Sequence, residues 1–196
     1  MRSPVYWHPF LYRLAMKVLY GRYFKIRYRT IADIIPMNAK VVEVCAGDGY
    51  LYKHYLRSKN IEYNGLDINS TFVKHAEKNK IQFSIHNILK EPVPSADYII
   101  IQASLYQFIP HEHLIMRKLL DAANHFLIVA EPIRNLADSD NFFIRMFAKY
   151  SANPGAEHAV NRFTEDTLLT CFKEYSELME VKKIENGREM LGVFKK

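Results

Sequence analysis

From position 40 onward the chain alternates short, uncharged apolar runs with segments whose apolar residues recur at helical spacing. The runs predict strands at 40–45, 62–67, 81–85, 96–103 and 126–130, the last ended by Glu131-Pro132. Between them the spacing predicts helices over 50–58, 70–80 and 111–123, with Ser70 placed to cap the second. Strands rich in β-branched residues and separated by helices imply right-handed βαβ units, and so a parallel sheet covered on both faces. The tail breaks the alternation. After a helix over 164–175, "ELMEVKKIENGREMLGVFKK" reads as two strands joined by Asn186-Gly187, the pair that a tight type I′ hairpin needs because both central residues take positive φ. The expected fold class is α/β, a mostly parallel sheet of seven strands with an antiparallel C-terminal hairpin.

The first 35 residues follow a different pattern. Leu11, Leu14, Ala15, Val18 and Leu19 share one helical face, while Arg13, Lys17 and Tyr20 fall elsewhere on the turn. The first acidic residue is Asp33, and seven of the 27 basic residues precede it, leaving 20 against all 21 acids. The formal charge of +6 therefore belongs to this basic amphipathic segment. Its apolar stripe can pack on the domain and leave its cations in water, lie on a membrane surface or anionic lipid, or meet nucleic acid.

Length and composition add bounds. A chain of 196 residues with 49% hydrophobic and 13% aromatic content is expected to be one globular domain over 1–196. No apolar run approaches the roughly 20 residues that cross a bilayer, and no leader-like block follows the first basic residues, so a cytoplasmic protein is expected. Cys45 and Cys171 stand far apart with no C-x-x-C partner, which suggests neither a disulfide framework nor a zinc site. His111 and His113 lie at i and i+2, which do not share a helical face, so no metal is expected there.

The chemistry concentrates where the first strand ends. In "VVEVCAGDGYLYKHYL", Gly47 and Gly49 let the backbone turn sharply and leave bare main chain against a ligand. Asp67, ending the second strand about 20 residues on, is placed to accept from ribose hydroxyls. A nucleoside is the expected occupant. A dinucleotide would want glycine at position 52, and the chain has Tyr52.

The ordered set "VVEVCAGDG", "YNGLDIN", "FSIHNIL", "ADYIIIQASLYQF", "FLIVAEP" and the Asn-Gly hairpin resembles the class I S-adenosylmethionine-dependent methyltransferases of the small-molecule type, over most of the chain. The resemblance implies a Rossmann-like three-layer sandwich with S-adenosyl-L-methionine as cofactor. It implies that Glu43 helps order the bend and the methionine ammonium, and that Cys45, Ala46, Gly47, Asp48 and Gly49 border the methionine part. Asp67 would hold the ribose, Ile68 would cover an adenine face, and Asn87 with Ile88 would meet the adenine edge. Ala103 would lie under the methionine tail, with Ser104 and Leu105 leading toward the acceptor. Two positions depart from the family pattern, Cys45 where glycine is usual and Asn87 where aspartate is common. An asparagine carbonyl can still accept from an amine.

The acceptor side rests on less. "QASLYQF" stands where amino-methylating relatives carry an Asp/Asn-Pro-Pro-Tyr/Phe segment, and it looks more like the segment of small-molecule enzymes. A helical insertion over 132–163, with Phe142, Phe143, Met146, Phe147 and Tyr150, would make an apolar acceptor pocket. The expected reaction is methyl transfer to a small, hydrophobic, aromatic or lipid-like acceptor. RNA or protein methylation and a non-catalytic binding subunit are the alternatives. Any general base is expected from the acceptor side, with His158 first, then Glu131 and Tyr106.

Overall fold

A computed structural model describes Phe10, Arg13, Leu14, Lys17 and residues 24–133, 162–184 and 187–196. His158, Asn186, the aromatic residues 142–150 and most of the apolar stripe over 11–19 lie outside the described residues. Helix α1, Phe24–Ile34, buries Phe24, Arg27, Tyr28, Ile31 and Ala32, the i, i+3, i+4, i+7 and i+8 positions of one face. It stops just ahead of Pro36, whose ring disfavours helical backbone in the residue before it.

The strands are β1 Lys40–Val44, β2 Glu62–Asp67, β3 Phe83–Ile85, β4 Ala96–Gln102, β5 Ala123–Pro132, β6 Leu178–Ile184 and β7 Glu189–Lys195. They form one sheet in the order β3-β2-β1-β4-β5-β7-β6. The first five are parallel, and β7 runs antiparallel to both of its neighbours, β5 and β6. Helices α2 Ser70–Lys78, α3 Glu112–Ala122 and α4 Glu165–Lys173 complete the layers.

Alternate residues of each central strand go to opposite faces. Tyr98 and Ile100 of β4 and Ile128 and Ala130 of β5 join the core under α1, while Ile99, Ile101, Leu127 and Val129 join the core under α3 and α4. Both faces being covered is why these strands read as unbroken apolar runs. Among the described residues no helix is long and apolar enough to cross a membrane.

Several local expectations are corrected. Asn69, not Ser70, caps α2, its side chain accepting from Thr71 N. The helix expected over 50–58 is π-helical at Tyr52–Leu56 and tightens into a 3₁₀ turn at Arg57–Lys59. β5 does not end before Glu131-Pro132, because Pro132 pairs with Glu189 on the β7 side, where a missing N–H is tolerated at a strand end. The Asn186-Gly187 turn falls partly outside the described residues; the described ladder runs to the pair Ile184 with Glu189, and Gly187 takes a φ of 76°.

Gly65 in the middle of β2 has a packing cause. A Cβ there would lie 2.5 Å from the Phe83 ring of β3. Gly65→Ala is expected to cost about 1–3 kcal/mol in urea unfolding by overpacking, and Phe83→Leu in the same chain to recover part of it. No cost from the single change would show that the ring moves freely.

Candidate functional site

The strand order reverses between β1 and β4, so a crevice opens beyond their carboxyl ends. Backbone strain gathers there. Cys45 after β1 and Ala103 after β4 both take positive φ, 56° and 47°, beside Gly47 at 59° and Gly49 at 70°. Left-handed backbone costs an L-residue roughly 1–2 kcal/mol, so Cys45 keeps the bend but not without strain. Its thiol is half-buried, and burial raises its pKa, which leaves it a packing group rather than a nucleophile.

Asp67 ties the bend to β2. Its Oδ2 accepts from Gly47 N at 2.8 Å and its Oδ1 from Asn69 N at 2.8 Å, and the residue is only 9% exposed. Ile68, next in line, is 55% exposed despite its apolar side chain. Ala46 N bonds to Leu66 O, and Lys53 N bonds to Gly49 O where the helical segment begins.

Beneath the bend lies a buried polar group that the sequence reading did not assemble. The Tyr63 hydroxyl donates to Glu43 Oε2 at 2.6 Å, and the Gln102 amide donates to Glu43 Oε1. Tyr52 stacks on Tyr63 with ring centroids 4.4 Å apart, which gives a role to the bulky residue at the position where a dinucleotide fingerprint wants glycine. Burial raises the Glu43 pKa from its ordinary 4.5 to about 7, against the two donors, which lower it. Gln102 Oε1 is buried with no hydrogen-bond partner, an acceptor at the crevice floor.

No protein-family model matches the sequence, and no curated protein matches it. Solved structures do. Human N-acetylserotonin methyltransferase in complex with S-adenosylmethionine is similar at a TM-score of 0.67 and 13% identity, over 98% of this chain and 57% of that one. This is the class I methyltransferase fold. The same holds for a putative methyltransferase of Haloferax volcanii in complex with the Trm112 activator, at 0.68 and 13%, over 100% of this chain and 98% of that chain. An O-methyltransferase family 2 protein from Planctomyces limnophilus, in complex with apigenin, matches at 0.63 and 14%. There the similarity covers 94% of this chain, which spans 61% of the other's length.

Within the methyltransferase fold the remaining candidate residues separate. Asn87 is half-buried, its Oδ1 accepting from Leu89 N at 3.1 Å and its N donating to Glu91. Ile88 and Leu105 are buried in the core under α3 and α4. Ser104 is buried and its Oγ donates to Gln102 O.

Glu131 is 0% exposed and accepts from the backbone N–H groups of Ser104 at 2.6 Å, Leu105 at 2.8 Å and Tyr106 at 3.4 Å. It caps the 3₁₀ turn Leu105–Phe108 from the end of β5. Its oxygens are not presented to an acceptor. The Tyr106 ring is buried under Arg162, whose Cζ lies 3.9 Å from its centroid, and burial raises its pKa, so it is a weak source of phenolate. Neither residue has the geometry of an exposed general base.

An open pocket of about 480 Å³ lies between α3 and α4, lined by Ile109, His113, Arg162, Phe163 and the acids Glu112 and Asp166 among others. Its lining mixes charged and apolar side chains, and no residue of the glycine bend lines it; the apolar pocket expected from residues 142–150 falls outside the described residues.

The basic segment is also corrected in part. Arg27 is 3% exposed and ion-paired with Glu189 of β7, and Arg13 is ion-paired with Asp48 of the bend. These two cations serve the chain itself rather than a lipid or nucleic acid surface. Charge counting cannot find such pairs, because it does not say which acid a cation will meet.

Proposed function

We propose that this protein is an S-adenosylmethionine-dependent methyltransferase acting on a small acceptor with a hydrophobic or aromatic body. The observation that supports it most is Asp67, an acid at the switch point whose carboxylate is already oriented by the main chain of the glycine bend. The residues fit the cofactor. Two glycines leave bare main chain at the bend, Ile68 offers an exposed apolar face, and Gln102 Oε1 is an unsatisfied acceptor beside Glu43.

The chemistry that cofactor supplies is an electrophilic methyl carbon on a sulfonium, open to in-line displacement by an acceptor lone pair. Asp67 would hold the ribose hydroxyls. Ile68 would cover one adenine face, and the turn at Asn87 and Ile88 would meet its edge through main chain and amide. Glu43 and Gln102 would accept from the ammonium above Ala103, and the peptides of residues 45–49 would border the methionine. Glu131 acts as a positioning residue that orders the Ser104–Tyr106 turn. His158 remains our candidate for a base on the acceptor side. Positioning and water exclusion would supply most of the acceleration, since the donor is already reactive.

The test is calorimetric titration with S-adenosylhomocysteine. Wild type is expected to bind, and Asp67→Ala to bind about 10- to 100-fold more weakly, the usual 1–3 kcal/mol for a lost charged acceptor. Asp67→Asn, which keeps one acceptor oxygen for Gly47 N, separates the ribose contact from support of the bend. Absence of binding by folded wild type, or tight binding of NADH instead, would overturn the assignment. Binding with no transfer to any acceptor would favour a non-catalytic subunit.

A further inference from the structure

The N-terminal segment delivers a guanidinium to the glycine bend. Arg13 Nε donates to Asp48 Oδ2 at 2.8 Å, Nη2 is ion-paired with the same oxygen at 2.7 Å, and the Arg13 Cζ lies 5.7 Å from the centroid of Tyr50. Asp48 is buried, while the Arg13 side chain keeps 25% of its surface exposed. A guanidinium has five N–H donors in a rigid fork, and no hydrogen bond to a described residue engages Nη1. The bend is otherwise acidic, with Glu43, Asp48 and Asp67 around it. An α-carboxylate entering that field would be repelled unless a cation met it.

We infer that Arg13 binds the carboxylate of the cofactor's amino-acid end and that Asp48 is the residue that aims it. The inference rests on the cofactor reading above. One face of the fork is held by Asp48 Oδ2, and the other presents N–H groups in the planar geometry a carboxylate takes up bidentately. The sequence separation of 35 between Arg13 and Asp48 explains why neither residue announces the contact in sequence.

The test uses two ligands that differ only in the carboxylate, S-adenosylmethionine and its decarboxylated derivative, titrated into the full chain by calorimetry. Wild type is expected to prefer S-adenosylmethionine at least tenfold. Arg13→Met should abolish that preference while leaving affinity for the decarboxylated ligand within about twofold, and Arg13→Lys should keep part of it, charge without the fork. Equal weakening toward both ligands would overturn the inference and make Arg13 a support of the bend. So would a preference that survives Arg13→Met. Failure of wild type to bind either ligand would instead remove the cofactor reading itself, and this assignment with it.

Discussion

Arg27→Met is expected to destabilise the protein by about 3–5 kcal/mol in urea unfolding, the cost of removing one partner of a buried ion pair. Arg27 on α1 is 3% exposed and Glu189 on β7 is 0% exposed, and the two are joined across 162 positions of sequence. Without the guanidinium, the Glu189 carboxylate would have to stay charged in a low-dielectric interior or take up a proton. Glu189 also faces Pro132 in the β5–β7 ladder, so a shift there reaches Glu131 and the turn it caps. Arg27→Met combined with Glu189→Met is expected to recover most of the loss, because two apolar side chains of similar volume remove the charge penalty together. A double variant no better than the single one would show that Arg27 acts through packing rather than charge.

Stability is expected to carry a downward contribution as pH rises from about 4.5 to about 7, owing to Glu43 and Glu131. Burial raises both carboxyls from an ordinary 4.5 to about 7, against the hydrogen bonds that lower them, from Tyr63 and Gln102 in one case and from three backbone amides in the other. In that window the folded state holds protons that the unfolded state has released, so the unfolding free energy falls as pH rises and levels off above about 7. Each group contributes on the order of 3 kcal/mol. His54 and His86, lowered by burial from 6.5, slope the opposite way, so the reading is the difference between wild type and variant. Glu43→Gln and Glu131→Gln should each flatten the profile between pH 5 and 7 in thermal or urea unfolding. A variant profile parallel to wild type would mean that the carboxyl in question titrates normally.

What the chain's local pattern determined on its own is the layered frame and the place of the site. Val41, Val42 and Val44, Ile99 to Ile101 and Leu127 to Val129 are apolar on both faces because both faces are covered, and that periodicity is visible residue by residue. Gly47, Gly49 and Asp67 were legible because a left-handed bend and an acid at a strand end are properties of short segments. The tertiary structure alone decided which polar groups meet. It gave Glu131 three backbone amides instead of an acceptor, put Tyr106 under Arg162, buried Leu105 and Ile88, and set Gln102 on Glu43. It also sent Arg27 and Arg13, two cations of one basic segment, to acids on different elements, Glu189 of β7 and Asp48 of the bend after β1. A charged side chain's energy depends on its burial and on the partner it reaches, and both are set by neighbours far away in sequence.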